Sequence, residues 1–328
     1  YRALEVFDRY RPRPVRLLKW LWYCLRFQPQ IIHLQGAQHP ALYILLWMIL
    51  RVMSQATFVY TPQDVLPNSL RPYHIKAFRF LYARMRHVFL NAKQNEPLVI
   101  EHFSVPRERI TVLPIADLTA FVRTHAARES PNVPDGAHVV LCFGLIEPRK
   151  GIHTLLSAAP EVIRQVPNTL ILIVGKPLMD IAPLQRQVEE LGLQERVRLV
   201  PEYASFAQMA GYFTAARFLV LPYENGWNSG VLASAFGFGK PVIATRVGGF
   251  DEVVTDESTG LLVPPKDPDL LAKAMVRLLR DEALYSRMSA NVRAAATEIS
   301  WETIAGLTGA RYADLLRTGA DCAVSQAR

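Results

Sequence analysis

The stretch RFLVLPYENGWNSGVLASAFGFGKPVIAT, residues 217–245, decides how the chain folds. It opens on an apolar run, RFLVL, and passes through a loop rich in Asn and Gly. A short helix of small residues follows, stopped by Gly239-Lys240-Pro241, and a second apolar run, PVIAT, closes the stretch. Strand, helix and strand in that order make a parallel crossover unit, and strands apolar throughout belong to a sheet covered on both faces. The helix begins at Ser229-Gly230 with no strong charge in its first turn. Serine is a favoured N-cap and glycine admits a close backbone approach. The Ser229 hydroxyl and the amides of Gly230 and Val231 therefore read as an anion cradle or as plain capping.

The same alternation runs outward in both directions. HVVLCF (138–143), TLILIV (169–174) and VRLV (197–200) are further strands, with helical patterns between them. In PDLLAKAMVRLLRD the residues Leu270, Leu271, Ala274, Met275, Leu278 and Leu279 form one apolar stripe. The first part repeats the theme with QIIHLQ (30–35), ATFVY (56–60), RHVFLN (86–91) and RITVLP (109–114). ESPNVPDG (129–136) has the composition of a linker. The expected organisation is α/β: an N-terminal doubly wound domain over 1–128, a linker over 129–136, a second doubly wound domain over 137–300, and a C-terminal helix and tail over 301–328 that packs on the first domain. Ligands of such sheets bind beyond the carboxyl ends of the strands.

The 328 residues carry a net charge of +8, unevenly placed. Residues 1–130 hold 18 Lys and Arg against 8 Asp and Glu, while the remainder is slightly acidic. A basic surface draws nucleic acid, anionic lipid or phosphorylated substrates, and charge alone does not choose among them. Cys24, Cys142 and Cys322 lack metal-ligand spacing and suit a reducing cytosol. PALYILLWMIL (40–50) is too short to span a bilayer. RPVRLLKWLWYCLRF (13–27) interleaves basic residues with Leu and Trp; it reads as a helix covering the first sheet or as one lying on an anionic membrane.

Several strand ends carry candidate chemistry. In FGLIEPRKGIHTLLSA (143–158) a loop leaves the strand at Gly144 and places Arg149 and Lys150 where a helix begins near Gly151. Two cations at a helix N-terminus oppose its dipole unless an anion sits there. TRVGGFDEVV (245–254) puts Gly248, Gly249 and Glu252 after another strand, as a site or as a tight turn with a favourable acid. Gln63 and Asp64 lie in VYTPQDVLPN, a loop after a first-domain strand. Asp267 and Asp269 have the spacing of a metal-binding pair, but the amphipathic helix that follows makes them caps. The eight histidines form no metal set.

In FGLIEPRKGIHTLLSA, ARFLVLPY, SGVLASAFGFGKPVIATRVGGFDEVV and STGLLVPPKDPDLLAKAM the chain resembles the family 4 glycosyltransferases of GT-B architecture, in particular a Ser-Gly-Val subgroup seen in polysaccharide biosynthesis. The resemblance covers nearly the whole chain. It implies two Rossmann-like domains facing each other across a cleft. It also implies transfer of a hexose from a nucleoside diphosphate sugar to a hydroxyl acceptor, a glycan or lipid-linked saccharide, with retention of configuration and with no metal or other cofactor. The enzyme would be cytoplasmic, peripheral at the inner membrane, and would not bind nucleic acid. Matching positions assign Lys150, with Arg149 as helper, to the donor phosphates. They assign Ser229, Gly230 and Val231 to the diphosphate loop and Tyr203 to the nucleobase pocket; Gly144 is read alongside the diphosphate loop, Ser234 alongside the nucleoside, and Asn228, Gly248, Gly249 and Glu252 as the rest of the cleft. Asp64, preceded by Gln63, matches an acidic catalytic position in the first domain.

The chain departs from the family in places. Gly226 and Ser234 stand where many members have two glutamates, the second of which grips the ribose. Gln63 replaces a frequent His, and Glu147 stands where some relatives place Arg. The family's first strand and Gly-rich loop do not occur, so the chain is expected to begin upstream of Tyr1. The rival reading is a degenerate GT-B protein that binds a sugar nucleotide or a partner transferase without turnover. A sugar-nucleotide epimerase on the same architecture is disfavoured by the lack of acidic and histidine residues at the strand ends.

Overall fold

The computed structural model describes residues 7–8, 11–12, 14–36, 40–62, 65, 72–120, 130–226 and 229–326. The chain divides into two compact units, one formed by Tyr1–Pro114 with Gly306–Arg328 and the other by Ile115–Ala305.

In the first unit a two-residue pair, β1 (Phe7–Asp8) and β2 (Arg11–Pro12), precedes a four-stranded sheet. The sheet is wholly parallel, in the order β3 (Ile31–Gln35), β4 (Thr57–Thr61), β5 (His87–Leu90), β6 (Ile110–Val112). Helices α1 (Pro14–Phe27), α2 (Pro40–Met53), α3 (Pro72–Arg84) and α4 (Asn95–Phe103) alternate with the strands. Cys24, Leu50, Phe78, Leu81, Tyr82 and Phe103 close over one side of the sheet. The long terminal helix supplies Leu315 and Tyr312 to a smaller cluster with Val59, Phe89 and Leu113. α1 packs by Cys24, Trp20 and Leu21, while Val15, Leu18, Trp22 and Phe27 are 57–79% exposed.

The second unit holds six parallel strands in the order β12-β11-β10-β7-β8-β9. These are β7 (His138–Phe143), β8 (Thr169–Val174), β9 (Val197–Val200), β10 (Phe218–Leu221), β11 (Val242–Thr245) and β12 (Gly260–Val263). The helices are α5 (Ile152–Gln165), α6 (Ala182–Glu190), α7 (Phe206–Ala215), α8 (Gly230–Gly237), α9 (Phe250–Val253), α10 (Pro268–Arg280) and α11 (Glu282–Ala296), and α12 (Trp301–Gln326) follows. All six residues of β8 are buried, as a sheet covered on both faces requires. Cys142 lies in this core, and burial pushes its thiol up to about 12.

Asp267 caps α10, its carboxylate accepting from the Leu270 amide at 2.9 Å. The buried stripe of α10 includes Leu271, Ala274, Met275, Leu278 and Leu279, but Leu270 is 39% exposed and Ala272 and Val276 are buried instead. A residue at the first turn lies at the end of the stripe, where a small rotation of the helix turns it out. β12 has too short an apolar run, Leu261-Leu262-Val263, to separate from a loop by periodicity.

The strand order reverses at β7. From it the chain moves outward through β8 and β9, then returns to place β10 on its other side. The carboxyl ends of β7 and β10 therefore flank the topological switch point of this sheet, where such folds bind ligands.

Candidate functional site

Two loops meet at that switch point. After β7 the chain turns at Gly144 and enters a single 3-10 turn, Pro148–Lys150, ending at Gly151, which caps α5. Gly151 has φ 62, and a Cβ on it would stand 1.9 Å from the Pro222 carbonyl oxygen just past β10. Only glycine lets the two strand ends approach this closely. The Glu224 amide donates to the Arg149 carbonyl at 2.8 Å and ties the loops together. Beyond β8, Gly175 does the same for Gly144, whose carbonyl oxygen lies 1.7 Å from where a Cβ would be.

Lys150 is only 7% exposed. Its ammonium donates to Tyr223 Oη and stands 3.8 Å from the Tyr223 ring centroid. Burial first, and the Arg149 cation next, pull this lysine down from its usual range to about 8. Burial pushes the Tyr223 phenol the other way, above its ordinary value. Tyr223 Oη is in turn 3.2 Å from Ser229 Oγ, and Ser229 Oγ accepts from the Leu232 amide at 3.3 Å as the N-cap of α8. With Lys150 donating to it, Tyr223 has its own proton to give to Ser229. In the orientation where Tyr223 is the donor, the serine accepts twice and keeps its proton to donate outward.

Gly144 and Val231 belong to the same cluster. A Cβ on Gly144 would lie 3.2 Å from Val231 Cγ2 and 3.9 Å from Lys150 Nζ. A Cβ on Gly230, by contrast, would meet no described atom within 4 Å. Packing therefore does not demand glycine at the first residue of α8.

Arg149 pairs with Glu147 at 2.5 Å, and a Cβ on Gly226 would lie 3.3 Å from its Nη1. Glu224, largely buried, takes His153 at 3.2 Å and Lys266 at 3.1 Å. Gly248 and Gly249 follow β11, and the next residue, Phe250, sets its ring 5.0 Å from that of Tyr223. Glu252 is exposed on α9.

Other sequence-level candidates stand apart. Ser234 is fully buried, and its hydroxyl donates to the Gly230 carbonyl at 2.7 Å. It serves its own helix because a small polar side chain inside a helix satisfies itself on the preceding turn. Tyr203 is 73% exposed in the loop after β9, the edge strand, two strands away from β7. Gln63, Asp64 and Asn228 lie outside the described residues. Among the described residues no three His, Cys, Asp or Glu side chains gather as a metal site.

Three residues of the site escape sequence reasoning. Tyr223, Glu224 and Gly175 look like strand ends and turns in the sequence. The one local hint at Tyr223 is a hydroxyl-bearing ring directly after a wholly apolar strand.

Residues 137–281 match the family model described as glycosyl transferases group 1. The D-inositol 3-phosphate glycosyltransferase of Corynebacterium efficiens is 29% identical over 248 residues, 71% of this chain and 57% of that protein. Its counterpart in Streptomyces avermitilis is 30% identical over 234 residues, 68% of this chain and 50% of that protein. The chain thus spans about half the length of the curated relatives it matches. Among solved structures, the sucrose-phosphate synthase of Thermosynechococcus elongatus superposes with a TM-score of 0.72 at 24% identity, covering 96% of this chain and 83% of that one. Anabaena HepE in complex with UDP superposes with a TM-score of 0.75 at 18% identity, covering 92% and 82%. The fold is GT-B, with a parallel sheet in each unit, and the second unit carries a glycosyl transferases group 1 domain.

Proposed function

We propose that the protein is a retaining glycosyltransferase. It moves a hexose from a nucleoside diphosphate sugar to a hydroxyl of a glycan or a lipid-linked saccharide. The observation that carries this reading is the convergence of Lys150, Tyr223 and the Ser229 cap of α8 at the switch point of the second sheet. The inositol phosphate glycosyltransferases among the relatives and the UDP complexes of HepE support a nucleotide-sugar donor.

In this reading the diphosphate lies against the first turn of α8. It accepts from the amides of Gly230 and Val231 and from the outward proton of Ser229, with Lys150 and Arg149 on its other side. Breaking the sugar–phosphate bond builds negative charge on the departing diphosphate. Donors already oriented toward that charge lower the barrier. Lys150 is held in place by Tyr223 and stripped of water by burial, so it pays little reorganisation when the charge develops. The acceptor hydroxyl attacks from the face the leaving group departs, which retains configuration. These donors take the part a metal plays elsewhere, and turnover in the presence of a chelator checks that. Gly248 and Gly249 extend the same edge toward the sugar, and Tyr203, which stands apart after β9, is the proposed contact to the base. Asp64 and Gln63 keep their proposed catalytic roles on the acceptor.

The first unit is basic, and α1 presents apolar side chains outward beside Lys19 and Arg26. This supports a peripheral position on an anionic membrane, at the cytoplasmic face. Among the described residues no helix is long and apolar enough to cross a membrane.

A second reading is favoured by one observation. Ser234 stands where relatives grip the ribose, and it is turned inside. A chain that binds a sugar nucleotide without turnover would look the same. A panel of radiolabelled UDP- and GDP-sugars, assayed for transfer and for binding, separates the two. Binding to one donor with no transfer or hydrolysis would establish the second reading in place of the first.

A further inference from the structure

The first unit contains a cluster of cations that the donor site does not use. Arg86, His87, Glu108, Arg109, Arg311 and Thr318 are among the residues that line a cavity of 330 Å³. Arg86 immediately precedes β5 and Arg109 immediately precedes β6. The cavity therefore opens at the amino ends of these parallel strands, at the edge of the sheet opposite to the loops that leave its carboxyl ends. Arg311 comes from α12, more than two hundred residues away in sequence.

The arginines are built in to different degrees. Arg311 lies along the buried His87 ring, its Nε and Nη2 each 3.3 Å from a ring nitrogen. It also donates to the Glu108 carbonyl at 3.1 Å. Burial, and then the Arg311 cation, hold His87 down at about 4, so the imidazole is neutral and supplies no charge of either sign at neutral pH. His87 is itself anchored to Thr111 Oγ1 at 2.8 Å. Among the described residues neither Arg86 nor Arg109 has a carboxylate partner. Asp314 lines the cavity but is engaged by Arg317. Glu108 turns its carbonyl, not its carboxylate, to Arg311. Even with Glu108 counted against them, three guanidinium groups around one concavity leave a surplus of positive charge.

Like charges gathered around a hollow repel one another, and each guanidinium presents a planar fork of donors suited to oxyanions. We propose that Arg86, Arg109 and Arg311 form a second anion-binding site that takes a phosphate-type dianion, separate from the Lys150 and Ser229 site of the other unit. One fork comes from α12 and two from the strand entries. The occupant thus bridges the terminal helix to the amino edge of the first sheet and stabilises that docking. Free phosphate compounds and phospholipid headgroups share this chemistry.

The test uses the full chain with Lys150→Ala, which weakens the donor site, and compares it with the same chain carrying the further substitutions below, so that any phosphate held by the remaining donor-site groups is common to both. Inorganic phosphate is titrated against chloride at matched ionic strength, by thermal shift and by calorimetry. A ligand of the native state raises the unfolding temperature. The Lys150→Ala protein is expected to keep a phosphate-dependent shift. Adding Arg86→Ser and Arg109→Ser is expected to weaken phosphate about ten-fold or more, the scale of losing charge-assisted hydrogen bonds. Thr318→Glu, which places a carboxylate at the exposed rim and leaves the arginines intact, is expected to do the same. It covers the case in which the double variant does not fold. A parallel arm measures retention on phosphatidylcholine vesicles with and without phosphatidic acid. Loss of vesicle retention in the arginine or Thr318 variants, with free phosphate unaffected, supports the site and names lipid as the source. If phosphate affinity and vesicle retention are both unchanged in these variants, the site does not exist.

Discussion

The Lys150 ammonium sits 3.8 Å from the centroid of the Tyr223 ring and donates to the hydroxyl of that same ring. A buried cation is costly unless something answers its charge. Here a tyrosine answers with both its π face and its oxygen; Glu147 acts on the lysine only through space and is itself paired with Arg149, and among the described residues no carboxylate forms an ion pair with Lys150. The positive charge therefore remains available to an incoming anion.

Lys150→Ala is expected to cut turnover about 100-fold or more, since removing one preorganised donor to a developing charge costs about 2.7–4 kcal/mol. Initial rates with a labelled donor measure this. Near-normal turnover would remove Lys150 from the chemistry.

Tyr223→Phe keeps the ring over Lys150 but removes the oxygen that links it to Ser229. A hydrogen bond to a charged group is worth about 1.5–3 kcal/mol. The donor dissociation constant should therefore rise about ten-fold, with a smaller loss of stability, because the ring still packs on Phe250. Calorimetric titration alongside thermal unfolding reads both, and unchanged affinity would mean that Tyr223 is only a packing residue.

Lys150 also sets a pH dependence. Its value of about 8 lies below the ordinary one, so the folded protein releases this proton before the unfolded chain does. Below about pH 8 the ammonium is charged in both states and carries its full burial penalty. Between about pH 8 and the ordinary lysine range the unfolded chain binds more protons, and the contribution of this group to stability rises with pH. Donor binding has the opposite sign, because a diphosphate favours the ammonium. Affinity should be flat below about pH 8 and fall above it by up to about ten-fold per pH unit. In Lys150→Ala this fall should disappear; a fall that persists there belongs to another group.

Two glycines at the site should behave in opposite ways. Gly151→Ala forces a Cβ against the Pro222 carbonyl at positive φ and is expected to cost about 1–3 kcal/mol or more of stability. Gly230→Ala meets open space and favours the helix by about 0.5–1 kcal/mol. It should leave the unfolding temperature equal or higher while weakening the donor. Donor affinity unchanged in Gly230→Ala would show that no ligand approaches the first turn of α8.

On α1, Leu18→Ser with Trp22→Ser should reduce co-sedimentation with anionic vesicles and leave thermal unfolding little changed, because both side chains are exposed. Equal retention of the variant would place any membrane contact elsewhere.

Much of the architecture was legible before any coordinates. HVVLCF, TLILIV and VRLV coincide with β7, β8 and β9. The caps at Ser229 and Asp267 act where their residue types indicate. These are short-range matters: strand burial, helix period and a cap each depend on a few consecutive residues. Ser234 shows the limit. Its place in the chain matched a ribose-gripping position, yet one turn of helix geometry decides whether a hydroxyl faces a ligand or its own backbone.

By itself, then, the sequence determined a succession of buried parallel strands and helices, and the two loops, at Lys150 and at Ser229, that could hold an anion. Only the tertiary structure decided that Tyr223 joins those loops, that Gly151 lets them close on Pro222, and that Arg311 reaches His87 from the far end of the chain. The physical reason is that sheet order brings residues together by packing, and packing energy is shared among many side chains at once. No local pattern records which distant partner a given side chain will meet.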